Sequence, residues 1–428
     1  MSEVKREFEG FRQRMRAAGK YYEPITGPVS DWASDFDHTD PQWAADPFPI
    51  WDDLRQRCPI AHTERYGGTW LPVRHADVSA IAYDSEHFSS RSVVVANRKP
   101  PRELAPVGGF PPISSDPPYH MEARRPLLPA FSPQRVGRYE ESTRAYCHSL
   151  IDALESRSNV DAATEYAQDI PVRVISDMLG FPPEDGDQFR KFIHHVLEGV
   201  NNPLEQRLAG FQELFAYLTV QIEDHLANPR DDLTTFLLES YSDDTEMGLM
   251  RAAGSIGLLL VAGIDTTWSA IGSSIWHLAT HPDDRRRLTA DPREPELMTT
   301  AIEEFLRAYS PVTMARIVVE DIEWRGCPMK ADDWILLSFP AANRDPEQFD
   351  RADEVIIDRQ DNRHAAFGLG PHRSLGSHLA RMELRVALET WLERVPDFSL
   401  DPHKPTLWSA GQIRGPRSLP VIIHRTTG

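Results

Sequence analysis

The chain has 428 residues, a formal net charge of −19 and three cysteines, Cys58, Cys147 and Cys327. The acidic balance argues against nucleic acid as a partner, and three scattered thiols provide no disulfide framework, which suits a reducing cytoplasm. The first twenty residues are charged throughout and lack the apolar stretch of a secretory signal. No repeat, low-complexity tract or linker divides the chain, so one domain is expected over 45–428 after an N-terminal extension over 1–44.

The spacing from Pro47 to Cys58 predicts a short amphipathic helix, followed by an extended segment at Thr69–Val73. Residues 84–115 read as a Pro/Gly-rich loop with apolar members, among them Val93, Val94, Val95, Leu104 and Phe110. From about 117 to 229 the apolar spacing is helical, with breaks at Pro133, Pro182–Pro183 and Pro203 that separate four or five helices. A long helix is predicted over 247–279 and stops at His281-Pro282. Its apolar run, Ala252 to Thr280, is long enough to span a membrane. The polar group Asp265-Thr266-Thr267 at its middle favours a buried core helix and no membrane partner. A helix over 296–308 precedes a small sheet within 311–340, where Arg316–Val319 and Trp334–Leu337 are rich in strand-forming residues. A last helix starts near Ser377, and Leu419–His424 reads as a closing strand. The fold class is therefore mainly α with small β-sheets (α+β).

Four patterns carry chemistry. The first is Phe367-Gly368-Leu369-Gly370-Pro371-His372-Arg373-Ser374-Leu375-Gly376, whose glycines let backbone approach a flat ligand. A nucleotide loop would need a βαβ context that is not evident, and a zinc site from His364, His372 and His378 fits no common spacing. The second is Glu304 and Arg307, at i and i+3 on a helix. The third is Ala262-Gly263-Ile264-Asp265-Thr266-Thr267 inside the long helix, where Gly263 weakens the helix and a threonine hydroxyl can bond back one turn. The fourth is the basic pair His120 and Arg124, at i and i+4 on a predicted helix.

In this order the patterns resemble the cytochrome P-450 superfamily, whose haem-binding signature is F-G-x-G-x-H-x-C-x-G. The chain departs from it at one position: Ser374 stands where the family has the cysteine whose thiolate binds iron. The resemblance implies haem b (iron protoporphyrin IX) buried between the long helix and the loop and helix around Ser374. Ser374 is then the metal ligand, with Ala262, Phe367, Gly368 and Gly376 against the porphyrin. His120, Arg124, Arg316 and His372 meet the propionates, Asp265 and Thr266 deliver protons, and Glu304 with Arg307 form a buried brace. The family's third brace partner is an arginine. This chain has Glu354 at the aligned position, leaving Arg351 or Arg359 as substitutes.

A small apolar organic substrate is expected between Val94, Leu258, Val261, Val312, Met314 and Ala410. The segments 262–270 and 362–370 further resemble the bacterial self-sufficient class, in which a flavin and iron–sulfur reductase is fused to the haem domain. On that reading the chain is an excised haem domain, and its electron donor (a reductase domain or a ferredoxin/flavin system) is absent from it. Three functions are open. The chain resembles engineered serine-ligated carbene and nitrene transferases. The alternatives, in order, are a monooxygenase or peroxygenase with crippled oxygen activation, a knockout variant included, and a non-catalytic haem- or ligand-binding protein.

Overall fold

Helices carry most of the chain in the computed structural model, which describes residues 19–198, 202, 204–241, 248–291 and 295–424. Those that frame the site are, in chain order, α1 (Tyr119–Arg124), α2 (Leu204–Ala227), α3 (Gly248–Thr280), α4 (Pro295–Ala308) and α5 (Ser377–Arg394). Position 247, the predicted start of α3, lies outside the described residues. From Gly248 the helix runs for 33 residues, or about 50 Å. Arg251–Thr280 is long and apolar enough to cross a membrane, yet most of it is buried inside the protein. Helix Asp169–Leu179, α2 and α5 all pack on it. One of these contacts depends on Gly263, where a Cβ would lie 2.4 Å from Ile175 Cδ1.

The strands that matter to the site are β1 (Thr69–Pro72), β2 (Arg98–Lys99), β3 (Thr313–Val318), β4 (Trp334–Ser338) and β5 (Pro416–Ser418). The sheet expected within 311–340 is part of a five-stranded one, with β4 between β1, to which it is parallel, and β3, to which it is antiparallel. Ile60–Thr63 and Phe88–Ser89 form its edges. The register places Arg316 opposite Ile335 and so fixes its position in the core. The closing strand, Pro420–Ile423, lies between Phe398–Leu400 and Asn159–Asp161.

Residues 1–18 of the expected N-terminal extension lie outside the described residues. The remainder does not behave as an extension. Lys20–Tyr21 pairs with β2, and Phe36 and Trp43 are buried in a cluster with Trp51 and Trp334. Aromatic burial removes any boundary at 45.

The brace is assembled on α4. Glu304 and Arg307 are both fully buried and form a two-pronged ion pair, Arg307 Nε to Glu304 Oε2 and Nη2 to Oε1, each at 2.8 Å. Glu304 also accepts from the Ile356 N–H at 2.7 Å, Arg359 Nε at 3.0 Å and Asn362 Nδ2 at 3.1 Å. Arg307 donates onward to the carbonyls of Asn343, Ala352 and Glu354. Arg359 is thus the third partner. Arg351 instead reaches the exposed side chain of Glu354, at 3.3 Å. Burial pushes the Glu304 carboxyl up, but its donors, Arg307 foremost, hold it below its ordinary range. The adjacent Glu303 faces another way. It accepts from Arg381 Nε at 2.5 Å and lies 3.0 Å from His364 Nε2, which ties α4 to α5 and to the segment before the 367–376 loop.

Two predictions follow from these buried groups. Arg307→Ala leaves Glu304 buried without its main partner and should cost about 3–5 kcal/mol. Arg359→Ala, which spares the bonds from Arg307, Ile356 and Asn362, should cost about 1–2 kcal/mol. Thermal midpoints should fall in that order, and equal midpoints would contradict it. The second concerns pH. His38 is buried with neither ring nitrogen hydrogen-bonded, and burial depresses it from 6.5 to about 4, against an opposing pull from Asp37. Glu303 is pushed up by burial but held down to about 2 by Arg381 and His364. Both folded values are depressed, so both contributions are complete at high pH. Stability should fall from about pH 6.5 toward 4 as the unfolded chain binds a proton at His38, and again from about 4.5 toward 2 through Glu303. Thermal melts of His38→Leu should show a shallower first decline and an unchanged second one, because His120 and His372, which burial also depresses, still contribute to the first.

Candidate active site

Two cavities meet against the middle of α3. The first is a slot between α3 and the loop that leads into α5. In that loop Gly368 and Gly370 adopt left-handed φ values of 74° and 68°, and a Cβ at 370 would lie 2.4 Å from the Ala82 carbonyl oxygen. The Ser374 N–H donates to the Phe367 carbonyl at 2.8 Å, which closes the turn. Ser374 Oγ accepts from the Gly376 N–H at 3.2 Å, makes no other hydrogen bond among the described residues, and belongs to the slot wall. Phe367, Gly368, His372 and Gly376 line the same wall. No cysteine lines the slot among the described residues.

Opposite the loop, α3 presents Leu258, Ala262, Gly263 and Thr266. Thr266 Oγ1 donates to the Ala262 carbonyl at 2.9 Å, the back-bond that a mid-helix threonine favours. Asp265, expected to act with Thr266, is directed elsewhere. Successive helical residues point about 100° apart, and Asp265 does not line the slot. Its buried carboxylate pairs with Arg417 on β5, with Oδ1 2.6 Å from Nη2. Arg417 also donates to Ser269 Oγ at 3.0 Å and lies over the Trp268 ring. The structure therefore makes Asp265 a partner of Arg417 rather than a wall residue.

One edge of the slot is basic. His120 and Arg124 come from α1, Arg316 from β3 and His372 from the loop, and all four line it. The two imidazoles lie 4.2 Å apart between ring centres. Neither nitrogen of His120, nor Nδ1 of His372, has a hydrogen-bond partner, although His372 Nε2 meets Ser90 Oγ at 3.0 Å. Burial, then the neighbouring cations, push His120 down to about 4 and His372 down to about 2, and burial lowers Arg316 to about 10. Among the described residues no carboxylate lines the slot. Four basic groups, of which His120 and Arg316 are buried and Arg124 and His372 half-buried, with no carboxylate beside them on the slot wall, are unfavourable by themselves and suit a ligand with carboxylates at one edge. A flat apolar slot with such an edge and an oxygen donor on one face fits haem.

The second cavity adjoins the slot and shares Val93, Ile113, Leu258, Ala262, Thr266 and Met314 with it. Of the expected substrate-pocket residues, Val94 and Val261 line this cavity, Val312 lines the slot, and Leu258 and Met314 line both. Ala410 lines neither. Its turn is held by the Ser409 N–H to the Gly415 carbonyl and the Gly411 N–H to the His38 carbonyl, and the chain then delivers Gln412 and Ile413 to the wall. The 93–110 loop is a candidate wall from the sequence, but Phe211 and Phe215 of α2, which lie against its Phe110 and complete the roof, were missed. The repeat Arg207, Phe211, Phe215 at i, i+4, i+8 marks one helical face and was the available signal.

Comparison with known proteins agrees with this geometry. Residues 84–407 match the family model "Cytochrome P450". The chain is 33% identical to the mycinamicin IV hydroxylase/epoxidase of Micromonospora griseorubida, over 86% of this chain and 94% of that protein. It is 35% identical to the nocardicin C N-oxygenase of Nocardia uniformis subsp. tsuyamanensis, over 88% and 96%. Among solved structures, CYP109E1 from Bacillus megaterium in complex with testosterone superposes with a TM-score of 0.81 at 29% identity, covering 89% of this chain and 98% of that one. With the helix-rich architecture, the slot and the signature loop all in place, the chain belongs to the cytochrome P450 superfamily of haem-dependent monooxygenase-type enzymes.

Proposed function

We propose that Ser374 Oγ is the protein's axial ligand to haem iron, and that the chain acts as a carbene or nitrene transferase on small apolar organic substrates. The observation that carries this reading is the side chain at 374. An otherwise complete cradle offers a hydroxyl oxygen to the slot, and no thiol is there to replace it. When bound, haem supplies the iron at which a diazo compound or an organic azide loses dinitrogen and its carbon or nitrogen fragment passes to an alkene or a C–H bond.

The residues shape that chemistry in three ways. Ser374 presents a hard, weakly acidic oxygen. It lacks the electron push of a cysteine thiolate that favours O–O cleavage, and it opposes reduction less, because the axial ligand is a main control on both. His120, Arg124, Arg316 and His372 would hold the haem propionates at one edge of the slot. Leu258, Val261 and Met314 exclude water from the face opposite Ser374 and orient an apolar substrate. Electrons come from a separate donor, as a reductase or a ferredoxin/flavin system supplies.

A second reading, a monooxygenase or peroxygenase with weakened oxygen activation, is favoured by Thr266, whose hydroxyl remains at the slot. The relatives named above as hydroxylase/epoxidase and N-oxygenase support the same ancestry.

Two measurements separate these readings. The reduced carbon monoxide complex should lack the strongly red-shifted band of a thiolate-ligated protein, and Ser374→Cys should restore it. A red-shifted band in the parent would refute oxygen ligation. Anaerobic incubation of the reduced protein with an organic azide or diazo compound and an alkene should give product above a free-haem control. Product only with dioxygen and an electron donor, or only with peroxide, would establish the second reading instead.

A further inference from the structure

Arg207 reaches the second cavity from the first turns of α2. The residue is half-buried overall, but its Nε is enclosed and has no hydrogen-bond partner among the described residues. Among the described residues no carboxylate lines this cavity. Arg91, on the same wall, is committed to Asp332. Arg98 lies there too, and burial together with the charge of Arg98 lowers the Arg207 guanidinium from its ordinary value. An arginine does not escape such a site by losing its proton, so a guanidinium with an enclosed, unsatisfied Nε–H and no carboxylate beside it suits an anionic acceptor. The remaining wall defines what that acceptor is attached to. Phe211 and Phe215 continue the Arg207 face of α2, and Leu258, Ala262 and Thr266 lead on to the slot.

We propose that Arg207 anchors the carboxylate of an otherwise apolar substrate, whose chain runs past Phe211 and Phe215 toward Thr266. The assignment rests on the cavity being the substrate pocket, and it narrows the substrate class from apolar molecules to apolar carboxylic acids. Arg207 is then a specificity-determining residue, acting at the end of the pocket remote from Ser374.

The test is calorimetric titration of the haem-loaded protein with decanoate and with decan-1-ol, which match in chain length and differ in charge. Decanoate should bind more tightly. Arg207→Met should weaken decanoate roughly 10- to 100-fold, the range expected for a hydrogen bond to a charged group, and leave decan-1-ol within about twofold. Arg207→Lys should recover part of the difference. Haem content and far-UV circular dichroism of each variant separate lost binding from lost folding. Equal affinity for the two probes in the parent, or equal weakening of both by Arg207→Met, would overturn the carboxylate assignment while leaving the pocket reading intact. Binding that survives Val261→Trp, or no binding of either probe, would overturn the pocket reading and this assignment with it.

Discussion

Basic groups gathered with no acidic partner set the terms for the slot. His120, Arg124, Arg316 and His372 arrive from a helix, a strand and a loop, and none meets a carboxylate along the slot wall among the described residues. Two imidazoles in ring contact, both held far below their ordinary range by burial and neighbouring cations, represent an unfavourable arrangement that the protein alone does not relieve. Two propionates relieve it, so ligand binding and local stability are coupled. The fold supplies the rigidity that keeps these groups together. β3 fixes Arg316 by register, α1 fixes His120 and Arg124 one turn apart, and the left-handed glycines of the loop set the turn that carries His372.

The same slot shows how one turn of α3 divides its labour. Thr266 and Asp265 are neighbours in sequence, but the helix sends the hydroxyl to the slot wall and the carboxylate to Arg417. Arg417 lies on β5, which pairs with Leu407–Trp408 and just precedes the closing strand in sequence. The acid at the centre of the helix is therefore also a link between the helical core and the C-terminal strands. Its role is fixed by a residue about 150 positions away.

This explains what the sequence did and did not disclose. The long helix, α4, α5 and the sheet were legible because apolar periodicity and Pro/Gly punctuation are local signals. The slot residues were legible because their order and spacing resemble a family pattern. Legibility ended where partners meet across distance. The choice of Arg359 over Arg351 depends on how 343–362 folds back on Glu304. The orientation of Asp265 depends on Arg417. Ala410 and Gln412 differ by two positions in one turn, and only backbone bonds to His38 and Gly415 decide which faces the cavity. The apparent N-terminal extension misled because its aromatic residues bury against Trp51 and Trp334, which sequence spacing does not reveal.

Glu303 and Glu304 occupy one turn of α4 and hold different parts of the chain. Glu304 gathers Arg307, Arg359 and Asn362, while Glu303 gathers His364 and Arg381, whose guanidinium lies 4.5 Å over the Phe367 ring. The chain entering the signature loop and the helix leaving it are thus fastened to the same few ångströms of backbone. Position 374 lies between these two anchors, so its place opposite α3 depends on one turn of α4 as well as on the turns of the loop itself.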